Sequence, residues 1–324
     1  MRLPRTPIVA TLALASAAAL VGCGSSGAEG SGGGSGTVDV VASFYPLQWI
    51  AEGVGGEHVD VQNLTPSGAE PHDLELTPKD VAAIGDADLV FYLSNLQPAV
   101  DDAVDGSGAT ALDAADSADL DLVLSGDGHE HEDEHAEDED HDEHADEEEA
   151  GATDPHFWLD PVRVAAVADA FAAELAEVDP DHAADYEANA KALTGQLDDL
   201  DGEFEAGLAD CTSRTLVTTH TAFGYLAQRY DLEQMGIAGV SPSQEPSPAD
   251  LAEVTDFVKD NDVQTIYFET LVSPAIAETI ASETGAKTAV LDPLEGLTDQ
   301  SDGDDYLAVM RSNLANLQAG QPCP

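Results

Sequence analysis

The sequence predicts an α/β protein with two lobes, each a parallel sheet flanked by helices, joined by one long helix. Short β-branched or apolar runs alternate with helix-like segments along most of the chain, which is the pattern of parallel sheets with right-handed crossovers. One apolar stripe near the middle is much longer than the other helical patterns. Histidines stand next to predicted strands and helices at three distant places, where α/β folds bind ligands.

The first series of elements, from residue 38 to 180, predicts the N-terminal lobe. Its third strand is almost continuously apolar, as expected for a strand buried on both faces. Thr77 and Pro78 mark a helix start, because threonine is a good N-cap and proline fits the first helical position. The predicted strands are 38–42, 59–64, 89–93 and 120–124, and the main predicted helices are 46–54, 78–85 and 161–178.

The longest predicted element is a helix over residues 181–208. At 1.5 Å per residue it would be about 42 Å long, which exceeds what one small lobe needs. We therefore expect residues 181–209 to link the two lobes, although Gly195 and Gly202 lower the helix propensity. The apolar residues recur every three or four positions; they are Tyr186, Ala190, Leu193, Leu197, Leu200, Phe204 and Leu208.

A second series of elements, from residue 210 to 324, predicts the C-terminal lobe. Pro246, Ser247 and Pro248 give a well-defined helix start. The predicted strands are 215–219, 232–238, 264–268 and 287–291. The predicted helices are 222–230, 247–259, 273–284 and 304–317.

The N-terminus has the pattern of a targeting segment. Arg2 and Arg5 precede an apolar run over residues 8–21, which is too short to be a comfortable membrane span. The run ends in Leu-Val-Gly-Cys at Cys23 and resembles the lipobox of bacterial lipoproteins. This implies a signal peptide at 1–22, a lipid on Cys23 and a Gly/Ser-rich tether at 23–37. An ordinary secretory signal with another cleavage site is the alternative.

The predicted location bears on the two remaining cysteines. A lipoprotein of this kind is extracytoplasmic and anchored to the bacterial cell membrane. In an oxidising compartment an even pair of cysteines, Cys211 and Cys323, predicts a disulfide. Two free thiols are the alternative.

The chain is strongly acidic, with 65 acidic against 10 basic residues and a net charge of −55. Nucleic acid is an unsuitable partner for this surface, because phosphate binding needs clustered Lys and Arg. Most of the charge is expected to be a solvated surface.

An acidic, histidine-rich insertion lies within residues 125–153. Residues 127–149 contain fifteen acids and five histidines, cannot bury a core and are expected to form a disordered loop. His131, Glu132 and His135 match a zinc-protease motif, which we reject because the segment lacks an apolar helix face. A weak, multivalent metal collector is one interpretation, and a linker without a role is the other. Its histidines are His129, His131, His135, His141 and His144.

His72, His156 and His220 are the candidate ligands of one metal ion. Each stands at the end of a predicted element, so the three side chains could converge from distant parts of the chain. Hydrogen-bonded turn histidines are the alternative. Glu269, at the end of a predicted strand, could support a ligand from behind or be an exposed acid. Trp158 is predicted to pack in the core beside His156.

Four segments carry a resemblance to a known family. They are GAEPHDLELTP at 68–78, DPHFWLDP at 154–161, TTHTAFGY at 218–225 and LDPLEG at 291–296. In this order they resemble the metal-binding solute-binding lipoproteins of bacterial ABC importers, over about residues 38 to 320. The insertion is similar to the loop of the zinc-specific members. The resemblance implies two α/β lobes joined by one long rigid helix, the metal-type periplasmic-binding-protein fold.

The resemblance also implies a set of ligands. His72, His156 and His220 match the three imidazole positions, and Asp292 matches the acidic fourth position. Glu70, a water molecule, or a purely structural turn role for Asp292 are the alternatives at that position. Manganese-type members usually carry Glu at the third position, whereas three imidazoles favour Zn²⁺ over Mn²⁺.

The function implied is extracytoplasmic, high-affinity Zn²⁺ capture without enzymatic activity. The filled protein, expected to be a monomer, would deliver the ion to a membrane ABC permease and, through it, to a cytoplasmic ATPase on separate polypeptides. A Mn²⁺ or Fe²⁺ importer component is one alternative, and a zinc-dependent hydrolase is another. Some relatives were first described as adhesins, so cell adhesion is a third.

Overall fold

The computed structural model describes residues 36–123, 151, 153–239, 241–242 and 246–323. The predicted signal peptide, lipidated Cys23 and nearly all of the tether lie outside these ranges. The five histidines of the insertion also lie outside them. The structure therefore does not test what the sequence predicts for those segments.

Two parallel sheets form the framework of the described part of the chain. The strands are β1 Val38–Ala42, β2 Val59–Asn63, β3 Leu89–Tyr92, β4 Ala111–Asp113, β5 Thr215–Thr218, β6 Glu233–Gly236, β7 Thr265–Phe268 and β8 Lys287–Val290. Their orders are β2-β1-β3-β4 in the first sheet and β6-β5-β7-β8 in the second. Both sheets reverse their winding direction between two central strands, which creates a crevice at the carboxyl ends of those strands. The predicted fold class is confirmed.

Helices connect successive strands, including the last strand of the first sheet to the first strand of the second, and one more follows β8. They are α1 Tyr45–Gly55, α2 Pro78–Asp86, α3 Pro98–Ser107, α4 Ala115–Ala118, α5 Pro161–Val178, α6 Ala183–Leu208, α7 Gly224–Arg229, α8 Pro248–Asp260, α9 Ala275–Thr284 and α10 Tyr306–Gly320. Thr77 and Ser247 cap α2 and α8 through reciprocal bonds with Asp80 and Asp250. These capping boxes satisfy backbone groups that the first turn leaves free.

The predicted strand at 120–124 is wrong. The fourth strand of the first sheet is β4, which pairs with β3 through Val90 and Ala111. Val123 makes only an isolated antiparallel bridge with Thr153. The polar end of β4 explains its short length, because the Asp113 carboxylate accepts hydrogen bonds from the Ser94 and Ala115 backbones.

The long helix α6 lies against both halves of the molecule. It contacts α1 and α5 of the first lobe and α10 of the second lobe. All seven residues of the predicted apolar stripe are buried. One core cluster runs from the first sheet across α6 to the second half, and described residues from Thr37 onward belong to one compact unit.

The predicted disulfide between Cys211 and Cys323 is present. It joins the segment after α10 to the segment before β5, where the Thr212 backbone also donates to the Pro322 carbonyl. The two cysteines are 112 residues apart. By lowering the entropy of the denatured chain, a bond that closes a loop of this length stabilises the folded state by about 4 to 5 kcal/mol. Among the described helices, none has the length and apolar character to cross a membrane.

Candidate metal site

Side chains from both lobes meet at the carboxyl end of the second sheet. His220 follows β5, Glu269 follows β7 and Glu295 lies on the segment after β8. His72 follows β2 of the first lobe, and His156 precedes α5. The three candidate histidines are therefore brought together, at the crevice where parallel sheets bind ligands.

Glu295 is the acidic residue that faces the three imidazoles. The distances from its Oε1 atom to Nε2 are 3.6 Å for His72, 3.5 Å for His156 and 3.3 Å for His220. Tetrahedral ligands lie roughly 3.3–3.4 Å apart when each is about 2.0–2.1 Å from a zinc ion. The distances from Glu295 Oε1 to the three nitrogens are close to the edge length of such a tetrahedron. Among the described residues, the possible metal groups are His72, His156 and Glu295, and His220, Glu269 and Glu295, so both groups share Glu295.

The atoms that face this point have no other partner. In the described part of the chain, the three Nε2 atoms and both Glu295 carboxylate oxygens are buried without a hydrogen bond. Buried polar atoms in native proteins are almost always paired. Five buried, unpaired atoms from residues that lie this close together therefore indicate a site for a cation.

Carboxylates orient two of the imidazoles from behind. Nδ1 of His156 lies 2.8 Å from Asp154 Oδ1, and Nδ1 of His220 lies 2.8 Å from Glu269 Oε1. Since an ionised carboxylate only accepts, the neutral form of each ring carries its hydrogen on Nδ1 and offers the Nε2 lone pair to a metal. Glu269 is 2% exposed, so it supports His220 and is not a surface acid.

The predicted fourth ligand, Asp292, is placed differently. Its Oδ1 accepts from the Leu294 backbone at 2.8 Å, and its Oδ2 accepts from the Thr270 hydroxyl at 3.3 Å. Among the described residues, the groups arranged to hold a metal include Glu295 and not Asp292. Asp292 is instead buried in the turn that presents Glu295.

The conformation of the turn explains why Glu295, and not the predicted Asp292, is the acid that faces the imidazoles. Leu294 has φ of +58°, in the left-handed region that non-glycine residues rarely adopt. Asn313 holds both backbone groups of Asp292. The sequence Asp-Pro-Leu-Glu contains both acids, but it does not reveal this left-handed residue, which directs Glu295 towards the imidazoles.

Glu70, the other alternative, lies at the edge of the site. Its Oε1 accepts from the His72 backbone at 3.1 Å, and its Oε2 is buried without a partner in the described chain. Burial and then repulsion from Glu295 raise the pKa of Glu70 to about 8. Glu70 therefore holds its proton more readily than an exposed carboxylate does.

Trp158 fixes the spacing between the two lobes beside the site. It is fully buried, as predicted. Its indole N–H donates to the Pro293 carbonyl at 2.7 Å, and its own carbonyl accepts from the Tyr306 hydroxyl at 2.6 Å. It thus ties the segment that carries His156 to the turn that carries Glu295.

The pKa values reflect this crowded arrangement. Burial, the largest influence, lowers the pKa of His220, but the charge and hydrogen bond of Glu269 and the nearby Glu295 carboxylate outweigh it and raise the pKa to about 10. Burial raises the pKa of Glu295, yet the three nearby imidazoles hold it well below its usual value. Burial lowers the pKa of His72. The metal-free site thus pairs an ionised Glu295 with a protonated His220.

Comparison with protein families gives a match over most of the chain. Residues 40–320 match the ZnuA family, described as zinc-uptake complex component A, periplasmic. The high-affinity zinc uptake system protein ZnuA of Bacillus subtilis is 40% identical over 303 residues, which cover 91% of this chain and 92% of that one. The zinc-binding protein AdcA of Streptococcus pyogenes serotype M3 is 38% identical over 287 residues. That match covers 87% of this chain and 56% of AdcA.

Solved structures show the same fold. The laminin-binding protein Lmb of Streptococcus agalactiae, described as bifunctional with adhesin and metal transporting activity, has a TM-score of 0.75 at 38% identity. The match covers 88% of this chain and 99% of Lmb. The Zn(II)-bound ZnuA-like domain of Streptococcus pneumoniae AdcA has a TM-score of 0.70 at 34% identity, covering 89% and 100%. The chain belongs to the ZnuA family of periplasmic zinc-uptake components.

Proposed function

We propose that this protein captures Zn²⁺ outside the cytoplasm with high affinity and delivers it to an ABC-type membrane permease. Three unpartnered imidazole nitrogens approach Glu295 Oε1 to 3.3–3.6 Å, and this convergence carries the proposal. Membership of the ZnuA family and the zinc named in its relatives support it.

The proposed ligands are His72, His156, His220 and Glu295. Glu295 takes the place in this set that the sequence assigned to Asp292. The ion and Glu295 together carry a charge of +1, since the imidazoles bind in the neutral form. The buried Asp154 and Glu269 carboxylates behind the imidazoles offset this charge in surroundings of low dielectric.

The donor set favours zinc over the alternative cargoes. Three nitrogens and one oxygen suit the borderline-soft Zn²⁺, whereas Mn²⁺ prefers oxygen ligands. A zinc hydrolase needs an open coordination position for water. With Glu295 as the proposed fourth ligand, no such position remains, which argues against hydrolysis.

The partners and the location follow from the importer role. The permease and its ATPase are separate polypeptides, and the protein acts as a monomer held at the membrane through lipid on Cys23. His129, His131, His135, His141 and His144 of the insertion act as a weak, multivalent zinc collector. Because α6 packs against both lobes, zinc release requires local rearrangement of the segments that carry the ligands.

Zinc titration against a chelating dye tests the proposal. The proteins compared are the mature domain, the same domain without residues 127–149, and His220→Ala. We expect one tight site in the first two proteins and none in the third. Loss of all tight binding on deletion of the insertion would place the main site in the insertion and refute the proposal.

A further inference from the structure

The hydroxyl of Tyr225 joins the two lobes directly behind the metal site. Tyr225 lies on α7, five residues after His220, and is fully buried. Its hydroxyl donates to the Asp154 carbonyl at 3.0 Å and accepts from the Leu122 backbone at 3.4 Å. A residue of the second lobe therefore holds the segment of the first lobe that carries His156.

Asp154 transmits this contact to a proposed zinc ligand. Its backbone N–H donates to the Leu122 carbonyl at 2.9 Å, which closes a small ring of bonds around the Tyr225 hydroxyl. Its Oδ1 accepts from both the backbone N–H and Nδ1 of His156, at 2.9 and 2.8 Å. The position of the Asp154 backbone thus sets the orientation of the His156 ring.

Arg163 of α5 holds the Tyr225 ring from the other side. Its guanidinium carbon lies 4.4 Å from the ring centre, a distance typical of a cation–π contact. The same guanidinium donates to the Asp121 carboxylate at 2.7 Å and to Gln228 at 3.1 Å. Side chains of both lobes therefore fix the ring on which the hydroxyl is carried.

The start of α7 also packs against Asp154 without space for a side chain. A Cβ atom at Gly224 would lie 2.5 Å from Asp154 Oδ2, closer than real Cβ contacts. Glycine at this position lets the backbone approach the carboxylate. This approach brings the Tyr225 hydroxyl within reach of the Asp154 carbonyl.

We infer that Tyr225 is a positioning residue for zinc binding, which acts across the lobe boundary through Asp154 on His156. The inference rests on the proposed function. The hydroxyl keeps the Asp154 carboxylate behind Nδ1 of His156, so that Nε2 points at the ion. Without the hydroxyl the carboxylate is less well placed, and the bound ion leaves faster.

Tyr225→Phe tests this role, with Tyr230→Phe as the matched control. The Tyr230 hydroxyl donates to Asp201 at 3.1 Å and touches none of the proposed ligands. Measurements on the full mature chain are zinc affinity by dye competition, chelator-driven zinc dissociation, thermal unfolding and the visible absorption of the Co²⁺ form. We expect Tyr225→Phe to speed dissociation about 3- to 10-fold, below the 10- to 100-fold usual for partners that bond a ligand directly. We also expect its Co²⁺ spectrum to shift.

A double-mutant cycle with Asp154→Ala identifies the route. If Tyr225 acts through Asp154, adding Tyr225→Phe to Asp154→Ala has no further effect on dissociation. Additive effects, an unchanged Co²⁺ spectrum, or equal losses in Tyr230→Phe would each overturn the inference. Absence of a tight site in the unmodified protein would instead contradict the proposed function itself.

Discussion

Two acids three residues apart, Asp292 and Glu295, have separate roles at this site. Glu295 offers unpartnered oxygens to the imidazoles, whereas both Asp292 oxygens accept hydrogen bonds within the turn. We expect Glu295→Gln to weaken zinc binding about 100-fold, because loss of a buried charged interaction costs roughly 3 kcal/mol. Asp292→Asn should instead lower the free energy of unfolding by about 1–3 kcal/mol. Dye competition and denaturant unfolding on both variants measure the two effects.

The opposite pattern would restore Asp292 as the ligand. In that case Asp292→Asn would abolish tight binding, and Glu295→Gln would leave it intact. Asp302→Asn offers a control, since this carboxylate accepts from Ser312 on α10 and belongs to none of the possible metal groups among described residues.

Zinc binding should compete with a proton on His220. The raised pKa of about 10 means that the metal-free site is protonated there from neutral pH up to about pH 10. Zinc requires the free Nε2 lone pair, so binding expels this proton. We expect about one proton released per zinc at pH 8, and an apparent affinity that rises roughly tenfold per pH unit over this window. Calorimetry in buffers of different ionisation enthalpy measures the release.

Glu269 makes the largest contribution to the raised pKa of His220 and so to this pH dependence. Its charge and hydrogen bond raise the pKa of His220, so Glu269→Gln should lower that pKa and flatten the rise in affinity above pH 7. At pH 10 the proton on His220 competes little with zinc, so the main effect of Glu269 is to orient the imidazole. There the same change should weaken zinc binding about 10- to 100-fold. Affinity titrations across pH separate the two effects. An unchanged slope would show that Glu269 does not control the proton.

At the scale of the elements, the sequence predicts best where the pattern is periodic or the cap is explicit. The stripe of α6 and the starts of α2 and α8 follow from spacing and capping alone. The strand at 120–124 was misassigned because its alternation is typical of a strand, while pairing with β3 selects β4 instead. The left-handed conformation of Leu294 depends on the turn that Asn313 holds through the backbone of Asp292. This contact joins residues distant in sequence, so no local pattern reveals it.

The disulfide acts on the stability of the second lobe. It joins the segment after α10 to the segment that leads into β5, and neither cysteine belongs to a possible metal group among the described residues. Cys211→Ser combined with Cys323→Ser should lower the free energy of unfolding by about 2–5 kcal/mol. Denaturant unfolding measures this loss, and dye competition should still find one tight zinc site. Loss of that site at temperatures where the variant stays folded would contradict a purely stabilising role.

At the scale of the whole molecule, the sequence predicted both lobes and the three histidines, because each lies in a recognisable local pattern. It did not predict how the lobes are held, because those contacts join residues distant in sequence. Trp158 to Pro293 and Tyr225 to Asp154 are such contacts. Both lie beside ligands, so the contacts that fix the lobes also shape the site.

A site built from both lobes should stabilise both when it fills. His72 and His156 belong to the first lobe, and His220 and Glu295 to the second. Zinc at 100 times its dissociation constant adds about 2.7 kcal/mol to the folded state. We expect hydrogen exchange to slow on zinc addition in 66–76, 154–160, 219–223 and 292–297 together, with little change along α6, which is already held by both lobes. Protection confined to one lobe would mean that zinc is held by that lobe alone, and that ligands of the other lobe join only weakly.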